Sequence, residues 1–444
     1  MKGDFSRDTF DPRKNFSSVL MQQGRVQLDA DWNEQSAILL HYMRTLATDI
    51  IGRYGGPDEG FTISLLKDGP NNSTSDLTIA AGRYYVDGIM CENLGNVKGK
   101  PFSFLEQPNY RPKKTPFPQV PFLAYLDVWE RHVTGSEDAD LYEPALGGID
   151  TTTRSQVVWQ VRVMKGGRTL AKRDDAEKLV ATIGSSSALL SARSEQEPAD
   201  DDPCNIEPDA RYRGAENQLY RVEVHTSSVA EDGTALTPTF KWSRENATVV
   251  FPVLRIETGN ETTTVTLANL GRDERYTLRD GDWVELVDDD HTFESRADKL
   301  LRVTAVDRDE STITLEGGAQ IGDKPEKHPL LRRWDQKPKP GTSDDGAVKI
   351  EYGTADNGWL KLEDGIQIQF VEKPNGNPAS YRTGDYWLIP ARVATGKVLW
   401  PKDSEGKPAA LEPRGILHHY APLAIIKSAG DPIDCRRKFA PISK

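Results

Sequence analysis

From Leu77 onward the chain consists of short segments rich in β-branched and aromatic residues, each closed by turn residues. They are LTI, GRYYVDGIMCEN, PFLAYLDVWERHV, SQVVWQVRVM, NQLYRVEVH, PTFKWSRENATVVFPVLRIE, TTTVTLANL, GDWVELVDDD, KLLRVTAVD and STITLEG. Side chains branched at Cβ fit a pleated surface better than a helix, and this rhythm of strand and turn is that of antiparallel sandwiches and barrels. The 36 Gly and 28 Pro supply the turns. Because 444 residues exceed what one hydrophobic core organises, the expected fold is mainly β and multi-domain. Antiparallel sandwich- or barrel-like modules would follow an N-terminal arm and one amphipathic helix.

The expected divisions are an arm, short strand and helix at 1–60, a first β domain at 61–165, a linker or long loop at 166–210, a second β domain at 211–335 and a C-terminal β module at 336–444. The linker is placed on SSSALLSARSEQEPADDDPC, which is polar, acidic and proline-bearing. Two turns share a pattern, Arg279-Asp280-Gly281-Asp282-Trp283 and Arg382-Thr383-Gly384-Asp385-Tyr386, each followed by apolar strand residues. They are candidates for equivalent turns in related modules.

The front of the chain reads differently. In QQGRVQLDADWNEQ, Gln23 and Gly24 form a turn, and Val26 and Leu28 alternate as in a brief half-buried strand. Asp31 is placed to cap a helix starting near Trp32, with Glu34 completing a capping-box pair. Trp32, Leu39, Met43, Leu46 and Ile50 lie seven, four, three and four residues apart, the seam of a coiled coil interrupted by Ser36. Gly52 is the expected stop. A helix of about 20 residues is marginal alone in water, so this seam must be covered. Two covers are open: the chain's own β domain, or other copies, with a trimer favoured.

Catalytic signals are sparse. The net charge of -12, with no long Lys/Arg cluster, argues against nucleic acid. No window approaches the roughly 18 consecutive apolar residues of a membrane span, and no secretory signal is evident, so the cytoplasm is the expected site of synthesis. Cys91, Cys204 and Cys435 show no CxxC spacing, and the seven His include no HExxH. Neither a metal nor a cofactor is expected, and no catalytic residues are assigned. Acidic runs at Asp200 to Asp202 and Asp288 to Asp290 lack the order that wraps calcium. Asp127, Glu130, Glu285 and Asp288, near Trp129 and Trp283 in sequence, are the carboxylates a glycosidase reading would need. Adjacent His418 and His419 are expected on opposite faces of a strand, one buried and one exposed. The nine Trp are read chiefly as core, with exposed rings such as Trp283 or Trp387 as the glycan-binding alternative.

MKGDFSRDTFDP, VLMQQGRVQLDADWNEQ, GRYYVDGI, YLDVWERHVT, ALGGIDTTTR, VVWQVRV, ENQLYRVEVH, FKWSREN, GDWVEL, LEDGIQIQF and GDYWLIPAR resemble an uncharacterised, DUF6519-like bacterial family of phage-tail-like proteins associated with extracellular contractile injection systems. The turn-strand-helix order of QGRVQLDADWNEQ is also similar to the start of trimeric phage baseplate and tail-fibre-attachment proteins. The resemblance implies a structural subunit at or around a baseplate, with baseplate, spike or sheath-associated proteins as partners. It implies assembly in the bacterial cytoplasm before incorporation into a particle, and it carries over no catalytic residue. A carbohydrate or surface-receptor binding module is the alternative.

Overall fold

The computed structural model describes residues 1–440 except 67–75, 97–98, 111, 113–116, 168–169, 185, 195–210, 231–232, 260, 272, 338–344, 354–357, 373–378 and 428–429. Part of the expected linker, with Asp200 to Asp202 and Cys204, lies outside the described residues. The fold is mainly β, with sandwich and barrel both present. Two compact units are each assembled from distant stretches of chain. The barrel unit comprises 1–7, 132–154 and 186–416, and the helix unit 8–131, 155–185 and 417–444.

In the helix unit, α1 (Asp29–Ile51) precedes the sheets. One sheet has the order Arg154–Lys165, Phe122–Val133, His419–Ile426, Ile433–Asp434; another joins Lys438–Phe439, Tyr54–Pro57, Gly82–Val86 and Ile89–Asn93. The period of two in FLAYLDV sorts its side chains between two cores. Phe122, Ala124, Leu126 and Val128 join Tyr84, Val86 and Trp159 on one face. Leu123 and Tyr125 turn to the other, under α2 (Arg173–Val180) with Ala176 and Val180. Arg154–Lys165 is an edge strand, and Gln107 blunts it: its carboxamide donates to the Val161 carbonyl at 2.9 Å and accepts from the Val161 N–H at 2.7 Å.

In the barrel unit, Val250–Thr258, Thr262–Leu267, Thr312–Glu316, Leu301–Asp307, Trp283–Val287 and Leu330–Trp334 close into a six-stranded barrel. Phe251, Val265, Val284, Val303, Ile313 and Leu331 fill it. Closure leaves no free strand edge. Beside it a five-stranded sheet, Val348–Lys349, Thr239–Ser243, Gln218–Thr226, Tyr386–Arg392 and Lys397–Val398, shares a core with the sheet of Leu189–Ser194, Ile366–Val371 and Tyr352–Gly353.

The two similar turns have one geometry. The Arg279 and Arg382 N–H groups donate to the Asp282 and Asp385 carboxylates at 2.9 and 3.1 Å. Gly281 and Gly384 sit at φ +90° and +89°, where a Cβ is strained. Each glycine N–H donates to a strand carbonyl, that of Val303 or Val224. One turn launches a barrel strand and the other a sandwich strand.

Candidate docking surface

α1 begins three residues earlier than its pattern predicts. Leu28 is the N-cap, and Asp31, expected at the cap, is the third helical residue; its Oδ2 accepts from the Leu28 N–H at 3.1 Å. Asp29 and Asp31 place negative charge in the first turn, where the helix dipole favours it. Glu34 accepts from Thr9 Oγ1 at 2.6 Å instead of completing the box. Gly52 ends the helix at φ +90°, its N–H donating to the Thr48 carbonyl at 2.8 Å.

The helix is amphipathic the wrong way round for a self-contained domain. Its covered side carries Ala30, Glu34, Ala37, Ile38, Arg44 and Thr48, of which only Ala30 and Ile38 are fully buried. The Arg44 guanidinium donates twice to Glu130, each bond at 2.9 Å, and Ser155 adds a third at 3.1 Å. Burial would raise the Glu130 carboxyl, but Arg44 overrides it and holds the group below its usual value. Gly88, at φ +77°, lets the turn after Val86 pass under the helix; a Cβ there would stand 2.2 Å from the Arg44 carbonyl oxygen. Polar pairing and close backbone approach therefore fix α1 on its own unit, with little apolar burial.

The seam points to water. Trp32 is 77% exposed, Leu39 54%, Met43 68%, Leu46 61% and Ile50 68%, and Leu40 and Tyr42 widen the stripe. Soluble chains scatter exposed apolar residues singly, whereas a contiguous patch marks an interaction surface. Twelve of the twenty-six exposed large hydrophobic side chains among the described residues fall between Phe16 and Ile50. Of the two covers left open, packing on the chain's own β domain therefore does not account for the seam.

The arm carries the same character. Between Asn15 and Leu28 the backbone has neither helix nor strand, and Gly24 turns it at φ +71° with Arg25 N–H on the Gln22 carbonyl at 3.3 Å. Of the half-buried strand expected at 25–29, residues 25–28 lie in no helix or strand and pair with none among the described residues, Asp29 already belongs to α1, and Val26, Leu28 and Gln23 are exposed. The Val19 N–H on Gln35 Oε1 at 2.8 Å and the Phe10 and His41 rings at 5.6 Å tie the arm along α1.

The carboxylates of the glycosidase reading fall in both units, Asp127 and Glu130 in one, Glu285 and Asp288 in the other. Asp127 meets His418 Nδ1 at 2.7 Å, Glu285 meets Lys241 and the Trp334 N–H, and Asp288 meets His291. His419 takes a separate partner, Asp87, and is more exposed than His418. Trp387 is buried and Trp283 half-buried against Gly346, so neither ring is a free platform. Sequence reading missed the polar face of Gln218–Thr226, where Arg221, Glu223 and His225 are buried alternately with Tyr220, Val222 and Val224. The signal was the strict charged alternation of YRVEVH, which also fits a solvent-facing strand.

No curated protein and no solved structure matches the chain. A family model does, over residues 1–188 and 177–444, which together span all of it. The chain belongs to the family of unknown function DUF6519.

Proposed function

We propose that this protein is a structural subunit that acts by assembly, with the α1 seam buried against other copies of the chain, a trimer being favoured. The observation that supports the reading is the inverted helix: its polar side faces its own unit while Trp32, Leu39, Met43, Leu46 and Ile50 stand in water. Leaving such a surface uncovered costs free energy that association recovers. The wide stripe, with Leu40 and Tyr42 beside the seam, suits more than two helices.

The resemblance of the front end extends the proposal to a phage-tail-like contractile injection system, at or around its baseplate. The partners would be baseplate, spike or sheath-associated proteins, met in the bacterial cytoplasm before the particle is complete. A permanent contact of this kind buries well over about 1,000 Å².

Size-exclusion chromatography with light scattering on the purified chain tests the assembly reading, and sheath, tube and spike genes beside its own would support the particle. A strict monomer whose arm-deleted form still enters particles refutes it. The carbohydrate-binding alternative, which would use exposed Trp and Asp/Asn side chains on β loops, gains no support from the positions of Trp283 and Trp387.

A further inference from the structure

Gln218–Thr226 and Thr239–Ser243 are neighbours in the five-stranded sheet, and their register sets Glu223 directly opposite Lys241 and Arg221 opposite Ser243. Residues opposite one another in an antiparallel pair share a face, and His225, two places on from Glu223, joins it. All five side chains are buried. From this face Lys241 reaches a barrel strand. Its Nζ donates to Glu285 Oε1 at 2.5 Å and lies 3.5 Å from Glu223 Oε1. The Trp334 N–H, on the strand paired with that of Glu285, donates to Oε2 at 3.0 Å, and the same indole ring lies 4.5 Å from the Lys241 Nζ.

As an ion pair this contact is costly, because both groups have left water and their attraction recovers that loss only in part. Joined as an amide they would carry no charge, and the water formed would return to solvent. Condensation of an amine with a carboxyl group is slow and unfavourable in bulk water, where the partners must first meet and the product is the solvent. Neither obstacle applies here. Partners held in contact react as if at roughly 10⁵–10⁸ M, and a closed site keeps water from reversing the reaction.

We propose that Lys241 and Glu285 condense after folding into an isopeptide crosslink, stapling the sandwich strand Thr239–Ser243 to the barrel strand Trp283–Val287. The Nζ–Cδ bond forms and the Cδ–Oε1 bond breaks. The proton lying between Nζ and Oε1 passes to Oε1, which frees the amine lone pair and leaves a neutral carboxylic acid. Nζ then attacks Cδ, while the Trp334 N–H stabilises the charge growing on Oε2. Glu223 takes the second Nζ proton and returns it to Oε1, which departs as water. One ammonium and one carboxylate become one amide and one water, with no oxidant, reductant or other co-reactant.

The surroundings set the pace. Burial would raise the Glu223 carboxyl, but Lys2, Arg221 and Lys241 override it and hold the group ionised, ready to accept a proton. Burial opposes ionisation of Glu285 too, and Lys241 overrides it to about 2, so the neutral pair is the minor form and reaction is slow. A structural link needs to form only once. Burial first and Lys241 next lower His225 to about 4, so its ring adds no further cation, and its Nδ1 has no hydrogen-bond partner. The crosslink lies within the barrel unit and does not depend on the assembly reading.

Intact-mass spectrometry of the full wild-type chain, held folded for days and then denatured in urea, reads the link directly, since an ion pair separates in urea and an amide does not. The expected mass is lower than that of the sequence by one water. Digestion and fragmentation should place the loss on a branched peptide joining Lys241 to Glu285. Lys241→Met and Glu285→Ala should each restore the full mass. Glu223→Gln leaves both partners in place and, in its folded fraction, should slow the loss about a hundredfold or more over a time course after refolding. Full mass in the aged wild-type chain overturns the crosslink without any variant having to fold, and so does a lost water that maps to another pair.

Discussion

Replacing Met43 and Leu46 together by Glu separates a seam covered by other copies from one covered by its own chain. Both side chains are about two-thirds exposed, at 68% and 61%, and Glu is a good helix former. Within one chain the double change removes little packed volume, and the unfolding free energy should move by no more than about 0.5 kcal/mol. In a trimer, burying the exposed remainder of each side chain stabilises by roughly 1–2 kcal/mol. Two positions in three copies amount to roughly 6–12 kcal/mol per trimer, before any cost of burying carboxylates without partners. At about 1.4 kcal/mol per decade, the trimer association constant should fall by four decades or more, to order of magnitude. Light scattering across a concentration series reads the mass, and urea unfolding of the dilute monomer reads stability. Ile38→Glu is the internal contrast: at 1% exposure it should cost about 3 kcal/mol or more in the same unfolding assay. If Met43→Glu/Leu46→Glu loses about 2–5 kcal/mol of monomer stability, as a core truncation does, and leaves the mass unchanged, the reasoning from exposure is wrong.

Gly88→Ala should destabilise the helix unit by about 1–3 kcal/mol, because it combines φ +77° with a Cβ 2.2 Å from the Arg44 carbonyl; a melting temperature equal to wild type would contradict the close approach. Arg44→Ala removes a bidentate but part-exposed pair with Glu130, so a loss near about 1 kcal/mol is expected. Limited proteolysis should then cut nearer α1 in the variant, and an unchanged cleavage pattern would count against Arg44 as the anchor. In the barrel unit, His291 lies between Asp288 and Asp298, at 2.7 and 2.8 Å. Burial alone would lower its pKa, but the two carboxylates override it and raise the ring to about 9. A raised pKa gives stability that is complete below about 6.5 and is lost as pH rises through about 9. The wild-type urea midpoint should therefore fall across that window relative to His291→Gln; parallel curves would dismiss the clamp.

Local chemistry was legible in the sequence where it is decided locally. The helix and its Gly52 stop follow from spacing, and the turns at Gly281 and Gly384 share one hydrogen-bond pattern because their Arg, Gly and Asp residues fall at the same offsets. The period of two in FLAYLDV foretells a strand, but not that both its faces are covered, since α2 covers one face and the sheet of Gly82–Val86 the other. The same limit hid the Arg221–Glu223 face. An alternating charged strand reads as solvated unless something far away in the chain lies on it, and here residues 1–7 do. Asp31 was displaced from the cap because the helix gains a turn-forming Asp29-Ala30 pair ahead of it, and Asp31 holds the Leu28 N–H from within.

Two inversions in this chain belong together. The helix that should hide its apolar stripe exposes it, and a strand that should wet its charges buries Arg221, Glu223 and His225. Each is costly for an isolated monomer: the first leaves hydrophobic surface in water, and the second places charges where they gain little over a packed hydrophobic face. The first cost is recovered if the seam is buried against other copies, as proposed. The second is offset within the chain, where the Met1 and Gly3 carbonyls and the Lys2 ammonium meet Arg221, Asn246 and Glu223. Under that proposal the apolar seam gives association its strength, while the charged face fixes where the chain's own first residues lie.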